Sequence, residues 1–314
     1  MSKSRIFAAL LGAVSVTATA VQAEQLTIER LLGSPGLSGP TVQGLKLSPD
    51  GKRVTFLRGK EDNQSQLDLW EFNVSTGNAT LLVDSDTLLG GETEQLSEEE
   101  KARRERNRSL TGKSGILSYF WSDASNTLLF PLGGDVYVLP LGGTLKRLTK
   151  TPAYETDIKF SPKGNYVSFI RDRELFVVDV DTGAEKQLTT GSSDTVANGM
   201  AEFIAQEELG RYTGYWWSPD ETKVAYEQFD ESDVIVKDRY EVQPDGGVVT
   251  LKQRYPEAGS ANVTVRLGVA ELASGESHWL PLGDDKDIYL GRVNWTADSS
   301  KVVFQRLNRE QTRL

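Results

Sequence analysis

One short phrase returns five times along this chain: an apolar residue, then Ser-Pro-Asp-Gly or a degraded form of it, then a β-branched or alternating run. It stands at Leu47-Ser48-Pro49-Asp50-Gly51, Trp121-Ser122-Asp123, Phe160-Ser161-Pro162-Lys163-Gly164, Trp217-Ser218-Pro219-Asp220-Glu221 and Trp295-Thr296-Ala297-Asp298. Proline pre-sets the first corner of a tight turn, Asp bonds its own local backbone and glycine supplies positive φ, so the phrase is hairpin chemistry. The runs that follow predict strands over Arg53–Leu57, Thr127–Pro131, Tyr166–Ile170, Lys223–Glu227 and Lys301–Gln305. Further strand pairs follow the first three: Leu67–Phe72 with Ala79–Val83, Asp135–Leu139 with Leu145–Thr149, and Glu174–Asp179 with Glu185–Thr189. Strands and turns at this spacing make one four-stranded propeller blade. A β-sandwich is the structural alternative.

The Ser or Thr of the phrase falls at 48, 122, 161, 218 and 296, spacings of 74, 39, 57 and 78 residues. A plain blade takes ~40–45 residues, so three of the spacings hold insertions, and insertions are where propellers tend to place binding residues. The expected fold class is all-β: a β-propeller of about five blades with helical insertions.

The chain carries 45 acidic and 35 basic side chains, a net charge of −10. A nucleic-acid binder normally shows a basic domain or stripe, so that class is set aside. The absence of cysteine removes disulfides, thiolate nucleophiles, Fe–S clusters and Cys-based zinc sites together. The single histidine, His278, leaves one candidate imidazole base and no His-rich metal site. No cofactor and no metal are expected.

Residues 1–23 read as a secretory signal peptide: Lys3 and Arg5, an apolar run from Ile6 to Val16, then small residues ending Val21-Gln22-Ala23. The run is too short for a bilayer span, which needs ~20 residues of helix. Removal would take two cations and no acid, leaving the mature chain more acidic. The expected location is exported and periplasmic, with no membrane span.

The first insertion contains Leu96-Ser97-Glu98-Glu99-Glu100-Lys101-Ala102-Arg103-Arg104-Glu105-Arg106-Asn107-Arg108. Ser97 followed by early acids and later cations fits an N-capped helix aligned with its dipole. Such charge runs are usually solvated faces; function requires one arginine to face a ligand. The second insertion, Asn198 to Arg211, predicts a helix with Met200, Phe203, Ile204 and Leu209 on an apolar face and Gly210 ending it. Glu207 and Glu208 then occupy its last turn, the unfavourable end of the dipole for carboxylates. Local rules are broken most often where function overrides stability.

Two lookalikes are set aside. Asp179-Val180-Asp181-Thr182-Gly183 lacks the later Glu of a calcium loop and reads as a hairpin turn. Gly275-Glu276-Ser277-His278 puts Ser beside His in a predicted turn, without the second glycine of a nucleophile elbow.

The Glu207-Glu208 pair, Gly210-Arg211-Tyr212-Thr213-Gly214-Tyr215-Trp216-Trp217-Ser218-Pro219-Asp220, Ala225-Tyr226 and Arg254-Tyr255-Pro256-Glu257-Ala258-Gly259-Ser260-Ala261-Asn262 resemble the dipeptidyl peptidase IV family of exported serine peptidases, especially its bacterial branch. Arg266-Leu267-Gly268-Val269 and Val293-Asn294-Trp295 extend the likeness, and Val263 departs from an expected proline. The resemblance implies an eight-bladed propeller followed by a C-terminal α/β-hydrolase domain bearing Ser, Asp and His. It implies that Glu207 and Glu208 grip the substrate α-ammonium while an arginine of the first insertion binds the peptide carbonyl. Arg106 is the choice, with Arg104 and Arg108 as rivals.

The expected chain is therefore a signal peptide, 1–23, and an incomplete propeller, 24–314, with no hydrolase domain and no catalytic residue of its own. The expected function is the substrate-gating part of a dipeptidyl peptidase releasing X-Pro or X-Ala dipeptides, inactive as a fragment. Its expected partners are a peptide with a free N-terminus, its own hydrolase domain and a second copy in a homodimer. The alternatives are a non-catalytic periplasmic binding module of the Tol-system type and another propeller-gated peptidase, which would lack the ammonium-binding insert.

Overall fold

The structure is a computed structural model that describes residues 26–33, 36–92, 94, 96–97, 100–101, 104, 110, 112–243 and 245–314. The signal-peptide reading falls outside these residues. A short helix, α1 (Ile28–Leu32), precedes the first blade, built from β1 (Val42–Leu47), β2 (Arg53–Gly59), β3 (Gln66–Asn73) and β4 (Ala79–Val83). After helix α2 (Ser85–Leu89), β5 (Ser114–Gly115) runs parallel to β3. The second blade is β6 (Phe120–Trp121), β7 (Thr127–Leu132), β8 (Asp135–Pro140) and β9 (Lys146–Arg147). The third is β10 (Thr156–Phe160), β11 (Tyr166–Arg171), β12 (Glu174–Asp179) and β13 (Glu185–Gln187).

In the fourth blade two short strands, β14 (Val196–Asn198) and β15 (Tyr215–Trp217), both pair with β16 (Lys223–Asp230). A separate hairpin, β17 (Val236–Val242) with β18 (Val248–Arg254), leaves this blade before β19 (Thr264–Glu271) and β20 (Ser277–Trp279) complete it. A last antiparallel pair, β21 (Ile288–Trp295) and β22 (Val302–Asn308), begins a fifth sheet. These are successive blades of a propeller, as the repeated phrase implies, and not the two facing sheets of a sandwich.

Each phrase joins the first two strands of its blade. Ser48 and Ser218 receive the amide of the residue five positions on, at 3.0 Å in both, and donate to Asp50 and Asp220 at 2.6 Å. Thr296 repeats this with Lys301 and Asp298. These bonds hold the Asp220 and Asp298 carboxyls down at about 2. Glu221 and Ser299 take the glycine place of the turn at φ +66° and +59°. Their side chains compensate by bonding the neighbouring turn, Glu221 to the Lys163 amide at 2.6 Å and Ser299 to the Asp220 amide at 3.0 Å.

The core sits between blades. Leu57, Leu67 and Leu69 pack with Leu128, Phe130 and Tyr137, joining the first blade to the second. Leu129, Val136 and Val138 meet Val167, Phe169 and Val178 at the next joint. Polar clamps reinforce two joints at matching positions. The Tyr119 hydroxyl donates between the carbonyls of Gly44 and Thr55, at 2.5 and 2.7 Å, and Trp121 Nε1 donates to Thr55 Oγ1 at 3.1 Å. Between the third and fourth blades, the Tyr215 hydroxyl donates to the Asp157 carbonyl and Trp217 Nε1 donates to Ser168 Oγ at 2.9 Å. Lys46 and Lys159 stand over the Tyr119 and Tyr215 rings, at 4.7 and 3.6 Å, and donate to the same residues' carbonyls. Burial lowers both lysines from their usual range.

Removing one buried hydroxyl with its partners left in place costs about 1–3 kcal/mol. Tyr215→Phe should lower the unfolding free energy by about that much in urea titration; an unmoved midpoint would mean the clamp contributes nothing to the joint.

Candidate functional site

The second insertion is an excursion from inside a strand. β14 ends at Asn198 and β15 resumes at Tyr215, and Glu227 of β16 lies opposite the break. The Gly199 amide donates to the Glu227 carbonyl and the Glu227 amide to the Gly214 carbonyl, both at 2.7 Å. A Cβ on Gly214 would come within 2.3 Å of the Met200 backbone, so only glycine lets the two ends of the excursion approach this closely.

The excursion carries helix α3 (Phe203–Glu207), only five residues long. Glu202 caps it, its carboxylate accepting from the Ile204 and Ala205 amides at 2.6 and 2.7 Å. Ile204 and Ala205 are buried beneath it, while Met200, Phe203 and Leu209 are half-buried, so the apolar face is narrower than expected. Gly210 follows at φ +59°. Glu207 is the last helical residue and Glu208 its C-cap, both exposed, as their position in the sequence implied. Gln311 donates to Glu208 at 3.1 Å and Arg292 to the Leu209 carbonyl at 2.9 Å, so the following sheet supports this end.

Beneath the helix is a buried charge cluster that reading the sequence missed. Arg211 pairs with Glu227 at 2.6 Å and also donates to the carbonyls of Thr213 and Leu290. Burial raises the Glu227 carboxyl, with Arg211 acting against it. Burial, then the nearby Glu227 charge, push the Glu202 carboxyl up to about 7. The ring of Phe203 meets Tyr255 edge-on at 5.5 Å, so the second insertion touches the Arg254–Asn262 stretch. Val263, the departure, is buried in the adjoining core.

In the first insertion the Glu100 amide donates to Ser97 Oγ at 3.2 Å, the cap expected there. The solvated face does not hold at two positions: Glu100 is buried and Arg104 half-buried. Arg104 donates to Glu100 at 2.7 Å, to both oxygens of Glu94 at 2.9 and 3.1 Å and to the Tyr154 hydroxyl at 3.1 Å. Its donors are committed to holding the insertion against the third blade. Arg106, the preferred substrate arginine, and Arg108 lie outside the described residues.

A cavity of about 380 Å³ opens beside this anchor, lined among others by Arg104, Tyr154, Glu155 and Asp157 from one side and by Tyr212, just after the second insertion. The first insertion and the chain returning from the second therefore border one space, with Glu207 and Glu208 outside its lining. Burial pushes the Glu155 carboxyl up to about 7 despite Arg171 at 3.2 Å. Asp157 holds a positive φ of +48° where β10 departs from register. His278 sits on exposed strand β20, paired with Val269, and not in a turn. The Asp179 stretch is the expected turn, with Asp179 accepting from the Asp181 and Thr182 amides. Among the described residues no acid or histidine group could hold a metal ion, and no helix is long and apolar enough to cross a membrane.

Residues 114–314 match the family described as the dipeptidyl peptidase IV (DPP IV) N-terminal region. The chain belongs to that family. It is 29% identical to human dipeptidyl peptidase 8, with 69% of this chain and 28% of the relative covered. It is 27% identical to a probable dipeptidyl peptidase 4 of Aspergillus flavus, with 86% and 35% covered. The crystal structure of Porphyromonas gingivalis dipeptidyl peptidase 4 superposes with a TM-score of 0.62 at 24% identity, over 85% of this chain and 36% of that one, a likeness of fold. The chain spans about a third of the length of these dipeptidyl peptidases.

Two outcomes follow from the buried charges. Arg104→Met leaves the Glu94 and Glu100 carboxylates without their cation, which costs about 3–5 kcal/mol; the unfolding free energy in urea should fall by about that much, and an unmoved midpoint would mean the anchor holds nothing. A carboxyl whose folded pKa lies above its unfolded value binds its proton more tightly when folded. The contributions of Glu155 and Glu202 are thus full below about 4.5 and lost by about 7. Unfolding free energy should fall over that interval, and Glu155→Gln with Glu202→Gln should flatten the slope.

Proposed function

We propose that this chain is the N-terminal, substrate-gating part of a serine-type dipeptidyl peptidase that releases X-Pro or X-Ala dipeptides from free peptide N-termini. The nucleophile belongs to a C-terminal α/β-hydrolase domain, and residues 1–23 export the protein to the periplasm. The observation that carries this reading is the presentation of Glu207 and Glu208: two adjacent exposed carboxylates at the end of a helix that sits over a buried ion pair. Two carboxylates can receive the N–H groups of one ammonium in charge-assisted hydrogen bonds. An ammonium fixed at a set distance from a nucleophile makes the enzyme measure two residues before cutting. The first insertion borders a cavity that Tyr212 also lines, and in this reading it supplies the arginine for the peptide carbonyl, Arg106. Arg104 is a weaker rival because its donors already serve Glu94, Glu100 and Tyr154. The family match favours a peptidase over a binding module.

Charge-assisted hydrogen bonds are worth about 1.5–3 kcal/mol each. In the polypeptide joining this chain to its hydrolase domain, Glu207→Gln and Glu208→Gln should each lower kcat/KM for Gly-Pro-p-nitroanilide by about 10- to 100-fold. Unchanged kcat/KM in both would reject the assignment, and turnover by purified 24–314 would reject a nucleophile outside this chain.

The β17–β18 hairpin supports the homodimer. Tyr240 and Val242 are 68% and 73% exposed, and a two-stranded hairpin is marginal in water unless something covers it. Tyr240→Glu with Val242→Glu should turn a dimer into a monomer in light scattering; a parent that is already monomeric would end this part.

A further inference from the structure

We propose that Glu202 is a positioning residue for the Glu207–Glu208 pair: through its cap on α3 and its contact with the Arg211–Glu227 ion pair, it fixes where the helix end meets substrate. This rests on the reading of the pair as an ammonium anchor. A helix of five residues has almost no stability of its own, since nucleation is costly and little more than one turn of bonding follows. Its geometry must come from the cap and from what lies beneath. Both Glu202 carboxylate oxygens are used on the Ile204 and Ala205 amides. The Glu202 backbone N–H lies close enough to the Glu227 carboxylate to help offset the effect of burial on it. Arg211 closes the loop, pairing with Glu227 while its own amide donates to the Ala205 carbonyl at 2.8 Å. One chain of contacts therefore runs from the centre of β16 to the turn bearing Glu207 and Glu208.

The cluster has two acids and one cation. The groups facing Glu202 are Glu227 from β16, Arg211 from the return of the excursion and Tyr289 from β21, with Glu207 and Glu208 on its own helix. Arg292 of β21 reaches the Leu209 carbonyl beside them. Ionising Glu202 places a second negative charge beside Glu227 in a buried space, and the helix then gains by opening to water. The opened helix ionises Glu202 near 4.5 and the closed one near 7, so α3 is held most firmly at low pH and loosens as pH rises through 7.

The test is a KM-against-kcat comparison on Gly-Pro-p-nitroanilide from pH 5.5 to 8.5, in the full peptidase. Glu202→Ala, which loses the cap, should raise KM about fivefold or more with kcat within twofold of the parent. Glu202→Gln, which keeps an acceptor and mimics the protonated group, should hold the parent's low-pH KM and abolish its rise through pH 7. Amide exchange across 203–209 should quicken in the Ala variant without substrate present. A wild-type KM in Glu202→Ala, while Glu207→Gln raises it, overturns the positioning role and leaves the anchor intact. Unchanged KM in the Glu207 and Glu208 variants overturns the anchor itself. If Glu202→Ala does not fold, the Gln profile decides, and a pH dependence identical to the parent's overturns the proposal.

Discussion

Two Tyr-x-Trp clamps govern where everything else in this molecule can stand. Tyr119-Phe120-Trp121 and Tyr215-Trp216-Trp217 occupy the same place relative to the Ser of the phrase, as do Lys46 and Lys159 in the blades they meet. Both clamps lie where the chain returns from an insertion, after residues 84–118 in one case and 199–214 in the other. The third blade, entered by a short connector, has Ile158-Lys159-Phe160 there and no Tyr or Trp. Lengthening a connector fourfold costs only about 1.2 kcal/mol in closure entropy, less than the three or more hydrogen bonds of a clamp can return at about 1 kcal/mol each. The clamps therefore do more than offset entropy. They register a strand that covalent proximity no longer registers, and so fix the roots of both insertions.

From those roots outward, buried charge takes over from apolar packing. Arg104 with Glu94 and Glu100 holds the first insertion to Tyr154, and the Arg211–Glu227 pair holds the second. A buried ion pair is a poor source of net stability, because desolvation consumes most of the attraction. It is nevertheless directional, and breaking it is expensive. An insertion of irregular backbone gains a single position in this way, at sites where a leucine would allow several.

The blades were legible because their signal is local: Ser, Pro, Asp and Gly must sit within a few residues of one another to make the turn. The observed strands enclose or closely match most of the expected ones, for example Glu174–Asp179 unchanged and Lys223–Glu227 extended to Asp230. The insertions were legible as spacings, and Glu207 with Glu208 as a breach of helix preference. The hairpin at Val236–Arg254 was missed because its residues alternate like any strand and only its isolation is unusual. Glu227 was hidden for a related reason. Its neighbours are Tyr226 and Gln228 in an ordinary strand pattern, and nothing local reveals that the opposite strand is broken at that point. Lys159 and Tyr215, more than fifty residues apart, have no local mark of their partnership either.

The placement of the Glu pair then follows from electrostatics. The carbonyl end of a helix carries partial negative charge, and carboxylates there are disfavoured. Arg292 and Gln311 engage this end, through the Leu209 carbonyl and the Glu208 carboxylate. In the proposed reading, the pair is a preorganised negative potential that a cation relieves. Water can screen such a potential but must reorient to do so, whereas an ammonium with three N–H donors meets carboxylates already in position. The same two side chains at a helix N-terminus would be more comfortable and would bind a cation less well.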